Sequence, residues 1–263
     1  MISKSQLTFI RSLQQKKFRS EHGLFVAEGD KLVLELLQSN FVLHSVYATK
    51  EWLNKNAKLL PKDCQKNDAN DDELAKISSL VSPQAVVAVA SIPTFELEDE
   101  FILNNFSIFL DGIRDPGNLG TIVRVADWFG IKNIVCSPDC ADVWNSKVVQ
   151  ASMGSILRVN VHFFEAKNFV DRLKKYASLN KIDFPPVYGT FMTGENIFST
   201  KFGASGIVVI GNESNGIREE TEQMITNRIT IPSWKAQNDL TDRPESLNAA
   251  IAMAIVCSEI RRN

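Results

Sequence analysis

The chain has 263 residues, 44% hydrophobic and 23% charged, with a formal net charge of −2. That composition is ordinary for a soluble protein with one large or two small cored domains, and its near-neutral balance does not mark a nucleic-acid binder. No apolar run approaches a membrane span, and the opening MISKSQLTFIRS lacks a signal-peptide core, so a cytoplasmic protein without membrane partners is expected.

Residues 3–20 read as a helix with no acidic residue. Lys4, Arg11 and Arg19 share one helical face with Thr8 and Gln15, and Lys16 and Lys17 adjoin it, so this stripe is either a phosphate-contacting surface or a solvated face. A strand follows at 23–28 (GLFVAE), then an amphipathic helix at 31–39 and strands at 43–48 and 85–90. From Ile92 onward the composition shifts to Pro93, the acidic run ELEDE and Asn104-Asn105. This predicts a linker at 96–105 between an N-terminal α/β domain, 1–95, and a larger domain, 106–263.

Strands and helices then alternate: strands at 107–110, 133–136, 159–164, 187–190, 207–210 and 228–231, with helices at 119–129 and 166–179. Such alternation implies a largely parallel sheet covered on both faces. The last helix, 247–257 (LNAAIAMAIVC), has no charge on any face and must be covered on all sides, either inside the core or by a second subunit. Cys64, Cys136, Cys140 and Cys257 form no disulfide framework, and neither they nor His22, His44 and His162 show metal-ligand spacing, so no metal is expected.

Three stretches lie where a strand hands over to a loop or helix. In 118–124 (NLGTIVR), Asn118 stands where an N-cap belongs and Arg124 projects opposite the apolar stripe. Spacing alone leaves Arg124 either a ligand contact or a surface residue paired with Asp127. In 211–216 (GNESNG), Gly211 permits close backbone approach, Gly216 permits a positive φ, and Glu213 faces either an arginine or solvent. In 246–248 (SLN), following Ile231-Pro232, Ser246 and Asn248 sit in the opening turn of the uncharged helix, capping it or reaching a substrate. Gly112, Gly117 and Gly120 do not make the dinucleotide pattern G-x-G-x-x-G, which disfavours a nucleotide-dependent oxidoreductase.

In this order and context the three stretches resemble the motifs of the SpoU (TrmH-like) RNA ribose 2'-O-methyltransferases of the SPOUT superfamily. HGLFVAEGDKLVLELL likewise resembles the small ribosomal-protein-like RNA-binding domain that many members carry. The resemblance implies a SPOUT domain with a deep trefoil knot, a homodimer through the last helix, and methyl transfer from S-adenosylmethionine to a ribose 2'-hydroxyl of RNA, with ribosomal favoured over transfer RNA. It places Asn118, Arg124, Glu213, Ser246 and Asn248 at active-site positions, and Thr190, Gly211, Ile231 and Leu247 at cofactor contacts. It also implies that Glu213 and Asn118 hold Arg124, and that Arg124 stands close to the partner's cofactor site. A transfer-RNA methyltransferase, or a non-catalytic RNA-binding or ribosome-assembly factor of the same fold, is the alternative. The segment 233–245 (SWKAQNDLTDRPE) is longer and more polar than its counterpart in the family, lacking a Met and a Gly, and suggests a flap over the cofactor with Trp234 or Leu240 as its apolar contact.

Overall fold

The computed structural model describes residues 2–233 and 246–262. The proposed flap residues Trp234 and Leu240 lie outside them. In chain order the elements are α1 (Lys4–Ser12), α2 (Lys16–His22), β1 (Leu24–Glu28), α3 (Asp30–Leu37), β2 (Leu43–Ala48), α4 (Lys50–Lys55), β3 (Gln65–Asp68), α5 (Asp71–Ile77) and β4 (Val86–Ser91). They continue with α6 (Asp99–Asn104), β5 (Phe106–Asp111), α7 (Pro116–Trp128), β6 (Asn133–Cys136), α8 (Ser146–Ala151), β7 (Asn160–Phe163) and α9 (Ala166–Asn180). The last are β8 (Val187–Asn196), β9 (Gly206–Gly211), α10 (Glu219–Glu222), β10 (Asn227–Thr230) and α11 (Ala249–Arg262).

Two compact units form, Met1–Thr94 with Asp142–Leu157 and Phe95–Ala141 with Arg158–Asn263. The first is built on a mixed sheet in the order β1-β4-β2-β3, antiparallel except for the β2–β3 pair. Its core gathers Ile10, Leu13, Val26, Tyr47, Leu74 and Val89. The 142–157 segment joins this unit through Trp144, whose ring lies 4.6 Å from that of Phe25. Where one helix was expected over 3–20, the chain breaks between α1 and α2. The Ser3–Gln6 capping box starts α1, and tight turns at Gln14 (N–H to Arg11 O, 3.1 Å) and Gln15 (N–H to Ser12 O, 2.9 Å) end it while Leu13 enters the core. Gln15 is extended (φ −95°, ψ 133°), and the new helix that follows it buries Arg19. The 96–105 stretch, expected as a linker, carries α6, whose Ile102 and Leu103 are buried.

The second unit is built on a six-stranded sheet in the order β10-β8-β9-β5-β6-β7, with every pairing parallel. Parallel strands need crossovers, and these put helices on both faces. Phe109, Val135, Val187, Ile207 and Val209 pack with α6 and α9 around the stacked Phe109 and Phe169 rings, 5.8 Å apart. The alternate residues Ile108, Leu110, Val208 and Ile210 are buried on the other side, where α11 packs on α7 and β9. A single chain thus covers one side of α11. Its outer face carries Ile251, 55% exposed, and just before the helix Leu247 is 44% exposed.

Candidate functional site

The first strand of the parallel sheet, β5, has β6 on one side and β9 on the other, so the chain reverses direction of travel across the sheet there. Ligands of open α/β sheets bind at the carboxyl ends of strands beside such a reversal, where diverging loops leave a crevice. Asp111 ends β5 and pairs in register with Gly211, which ends β9. Both glycine-bounded stretches start from this point.

After β5, Asp115 rather than Asn118 caps α7: its Oδ1 accepts the Asn118 N–H at 2.8 Å, and Pro116 takes the first helical position. An aspartate before proline suits this start because proline's fixed φ is helical and its missing N–H is no loss there. The Asn118 side chain is thereby released. Its Nδ2 donates to Glu213 Oε1, and its Oδ1 accepts from Asn248 Nδ2 at 2.9 Å. Asn248 also caps α11, accepting from the N–H groups of Ala250 (3.0 Å) and Ile251 (3.3 Å), while Ser246 Oγ donates to the Glu213 carbonyl at 3.1 Å. Four sequence-predicted residues from three distant stretches are therefore brought together, with Asn118 at the hub.

The Glu213 loop is a tight two-way bridge. Asn212 and Gly216 exchange backbone hydrogen bonds (3.1 and 2.8 Å), and Asn212 Oδ1 accepts from the N–H groups of Ser214 and Asn215. Gly216 adopts φ +69°, and a Cβ on Gly211 would lie 2.3 Å from the Gly216 carbonyl carbon, so neither position accepts a side chain without strain. Asn212 Nδ2 donates to the Gly112 carbonyl at 3.0 Å, tying this loop to the one after β5. Asn212, Asp111 and Arg218 were not expected at the site, although an acid ending the largely apolar run FSIFL signals a buried carboxylate that must be paired.

The other strand ends complete the cluster of loops. Thr190 Oγ1 donates to the Val209 carbonyl at 3.2 Å. Past Gly189 the pairing of β8 with β10 jumps, so that Arg228 faces Gly189 while Ile229 faces Glu195, and residues 190–194 leave the ladder. Thr230 Oγ1 donates to the Met192 carbonyl at 3.2 Å, which holds that excursion beside Ile231. Thr190, Gly211 and Ile231 are all half-buried.

Arg124 does not join the hub. It lies on the exposed face of α7 with Thr121 and Trp128, and among the described residues it makes neither a hydrogen bond nor an ion pair; Glu213 and Asn118 bond each other instead of holding it. Nor does it pair with Asp127, whose carboxylate binds Arg158 at 2.8 Å. Trp128, 85% exposed, extends this outer face. In the first unit Lys4, Arg11, Lys16 and Lys17 are exposed. Arg19 is not part of that stripe: it is 2% exposed, its Nε and Nη2 bind Asp142 and its Nη1 donates to the Leu13 carbonyl at 2.7 Å.

All four cysteines are reduced and buried. Hydrogen bonding between the Cys136 and Cys140 thiols pushes Cys140 down to about 7 and Cys136 well up, and Ile113 N–H, 3.2 Å from Cys140 Sγ, adds to the first effect. Burial pushes Cys257 up to about 12.

Residues 105–258 match the SpoU rRNA Methylase family, and residues 4–88 match an MRM3-like substrate binding domain. The 23S rRNA (guanosine(2553)-2'-O)-methyltransferase RlmP of Bacillus subtilis is 27% identical over 256 residues, which cover 95% of this chain and 94% of that one. Among solved structures, a Porphyromonas gingivalis protein assigned to the TrmH family of RNA methyltransferases is 36% identical with a TM-score of 0.84, and the match covers 100% of both chains. An AdoMet-bound rRNA methyltransferase from Sinorhizobium meliloti is 26% identical with a TM-score of 0.84, over 100% of this chain and 97% of that one.

Proposed function

Since the chain belongs to the SpoU rRNA methylase family, we propose that it transfers a methyl group from S-adenosylmethionine to a ribose 2'-hydroxyl of structured RNA, ribosomal rather than transfer RNA. The observation that carries this reading is the hydrogen-bonded set Asn118, Glu213, Ser246 and Asn248, assembled beyond the carboxyl ends of parallel strands. A module that only bound RNA would not need this set, which weighs against the non-catalytic alternative. The rRNA names of the Bacillus subtilis and Sinorhizobium meliloti relatives weigh against transfer RNA.

Thr190, Gly211, Ile231 and Leu247 would hold the cofactor. They suit it chemically: the strand ends offer half-buried backbone groups for an adenosine's polar edges, and the exposed side chains of Met192 and Leu247 offer apolar contact to a base. When bound, S-adenosylmethionine supplies an electrophilic methyl carried on a sulfonium. The chain's own task is to orient the 2'-hydroxyl, a poor nucleophile, and to manage its proton. Asn118 occupies one carboxylate oxygen of Glu213, which leaves the other to accept a hydrogen bond from substrate. Ser246 and Asn248 orient the ribose or the cofactor. Arg124 carries a fixed positive charge, so its role is to bind the adjacent phosphate and stabilise developing alkoxide charge rather than to act as a free base.

A homodimer belongs to the same proposal. The outward Leu247, Ile251 and Trp128 support it, and so does Arg124, unpaired among the described residues, which would serve the partner's site across the interface. The family's trefoil knot, a cytoplasmic location and the division into an RNA-binding unit and a methyltransferase unit complete the reading. In the first unit Lys4, Arg11, Lys16 and Lys17 would contact RNA phosphates, a role supported by the match to a substrate binding domain. Methyl-labelled cofactor incubated separately with protein-free 23S rRNA, 16S rRNA and bulk tRNA tests it: label should enter rRNA, and exclusive labelling of tRNA would favour the alternative substrate.

A further inference from the structure

We propose that the buried Asp111–Arg218 pair is a positioning clamp that holds the Glu213 loop in its working shape. This rests on the reading of the Asn118–Glu213 hub as the site of methyl transfer. Asp111 is 1% exposed at the carboxyl end of β5, among residues that are all buried. A carboxylate in that position is tolerated only when it is paired and hydrogen-bonded. One residue supplies the pairing: Arg218 donates its backbone N–H to Oδ2 at 2.8 Å, its Nε to Oδ1 at 2.7 Å, and its Nη2 to Oδ1.

The placement gives the pair its role. Gly211, where the loop leaves β9, is the ladder partner of Asp111, and Arg218, where the loop ends, returns to the same Asp111. Both feet of the 211–218 loop therefore stand on one residue, and Glu213 lies between them. Arg218 also reaches Asp139 at 3.3 Å. Asp139 in turn accepts from Ser137 Oγ at 2.7 Å, and that hydroxyl accepts the Gly112 N–H at 2.9 Å. The Arg218 guanidinium thus ties the β9 loop to the end of β5 and to the loop after β6, beside the direct Asn212–Gly112 and Gly112–Ser137 bonds. Among the described residues neither Asp111 nor Arg218 bonds Asn118, Ser246, Asn248 or the Glu213 side chain, so the pair acts on the hub only through the loop it anchors. A displacement of about 1 Å in such a loop costs on the order of 100-fold in rate.

Arg218→Lys keeps the charge but loses the rigid fork, Arg218→Met removes the ion pair and leaves Asp111 the backbone N–H of residue 218, and Asp111→Asn keeps the shape without the charge. All three are compared with the wild-type protein by circular dichroism, RNA affinity, steady-state methyl transfer and amide hydrogen exchange. The expected result is an unchanged fold and RNA Kd, exchange at 212–217 faster by on the order of 10-fold or more, and kcat reduced in the order wild type, Arg218→Lys, Arg218→Met. KM for RNA stays constant. If Arg218→Met fails to fold, the Arg218→Lys and Asp111→Asn variants decide the matter. Wild-type exchange rates at 212–217, or unchanged kcat in all three variants, would overturn the clamp. Exchange is read on the free protein, so faster exchange combined with no methyl transfer even by the wild type would uphold the clamp and overturn the functional reading instead.

Discussion

Asn118 links the hub, and replacing it tests the geometry most sharply. Asn118→Ala removes the bond to the Glu213 carboxylate and the 2.9 Å bond from Asn248, while the backbone N–H that binds Asp115 remains. A hydrogen bond to a charged group contributes about 1.5–3 kcal/mol and a neutral one about 0.5–1.5. Asn118 and Glu213 are only half-buried and Asn248 is exposed, so solvent compensates roughly half, and a loss of about 1–2 kcal/mol is expected. At about 2–4 °C per kcal/mol this lowers Tm by about 2–8 °C. Asn118→Asp keeps the size but sets a second carboxylate against Glu213. Two charges about 4 Å apart repel by about 1 kcal/mol in water and about 4 in a surface-like medium, so this variant is the less stable of the two near neutrality. Repulsion raises the pKa of the carboxyl pair in the folded state. The extra instability is therefore absent below about pH 4, where the unfolded carboxyls are protonated, and it grows as pH rises through the elevated folded value. Thermal unfolding from pH 4 to 8 at fixed protein concentration, beside methyl-transfer assays, reads both effects. Equal Tm values for the two variants at pH 7, or wild-type turnover in either, would refute the reasoning.

Arg124→Ala should lower turnover on the order of 100-fold or more while leaving the fold and cofactor affinity intact, and mixing it with Asn118→Ala should restore activity through hybrid dimers with one complete site; no recovery on mixing would show that Arg124 does not act across the interface. Met253 and Val256 are fully buried within one chain, so the exposed Ile251 is the cleaner probe of the dimer. Ile251→Asp should cost about 3–5 kcal/mol of association, raising the dimer Kd roughly 100-fold or more, and sedimentation showing a wild-type monomer at micromolar concentration would dismiss the dimer. Reversing Lys4, Arg11, Lys16 and Lys17 together should weaken RNA binding and flatten its dependence on salt by up to about 3 in logarithmic slope, whereas reversing the buried Arg19 should disrupt folding instead; an unaltered slope would make the stripe a solvated face.

The parallel sheet was legible because its strands are short apolar runs that end in glycine or polar turns, as FSIFLD and GIVVIG do. The hub residues were legible for the same reason, since each stands where such a run stops. Strand β3 was not, because QKND is a largely exposed edge strand with no apolar alternation. The start of α7 was misplaced by three residues: asparagine before an apolar stripe looks like a cap, but the Asp-Pro pair upstream is the stronger start. Arg19 was carried along a helical stripe because Gln14-Gln15 holds no glycine or proline to mark the break. The Asp111–Arg218 clamp spans 107 positions, and no local pattern pairs residues that far apart.

Whether the protein places a methyl group on a ribose of rRNA is read by nucleoside mass spectrometry of rRNA treated with the purified protein and S-adenosylmethionine. A nucleoside heavier by one methyl is expected, its added mass staying with the ribose on fragmentation, and it should be absent when Arg124→Ala replaces the wild type. A methyl found on a base, or unmodified rRNA despite measurable cofactor binding, would contradict this expectation.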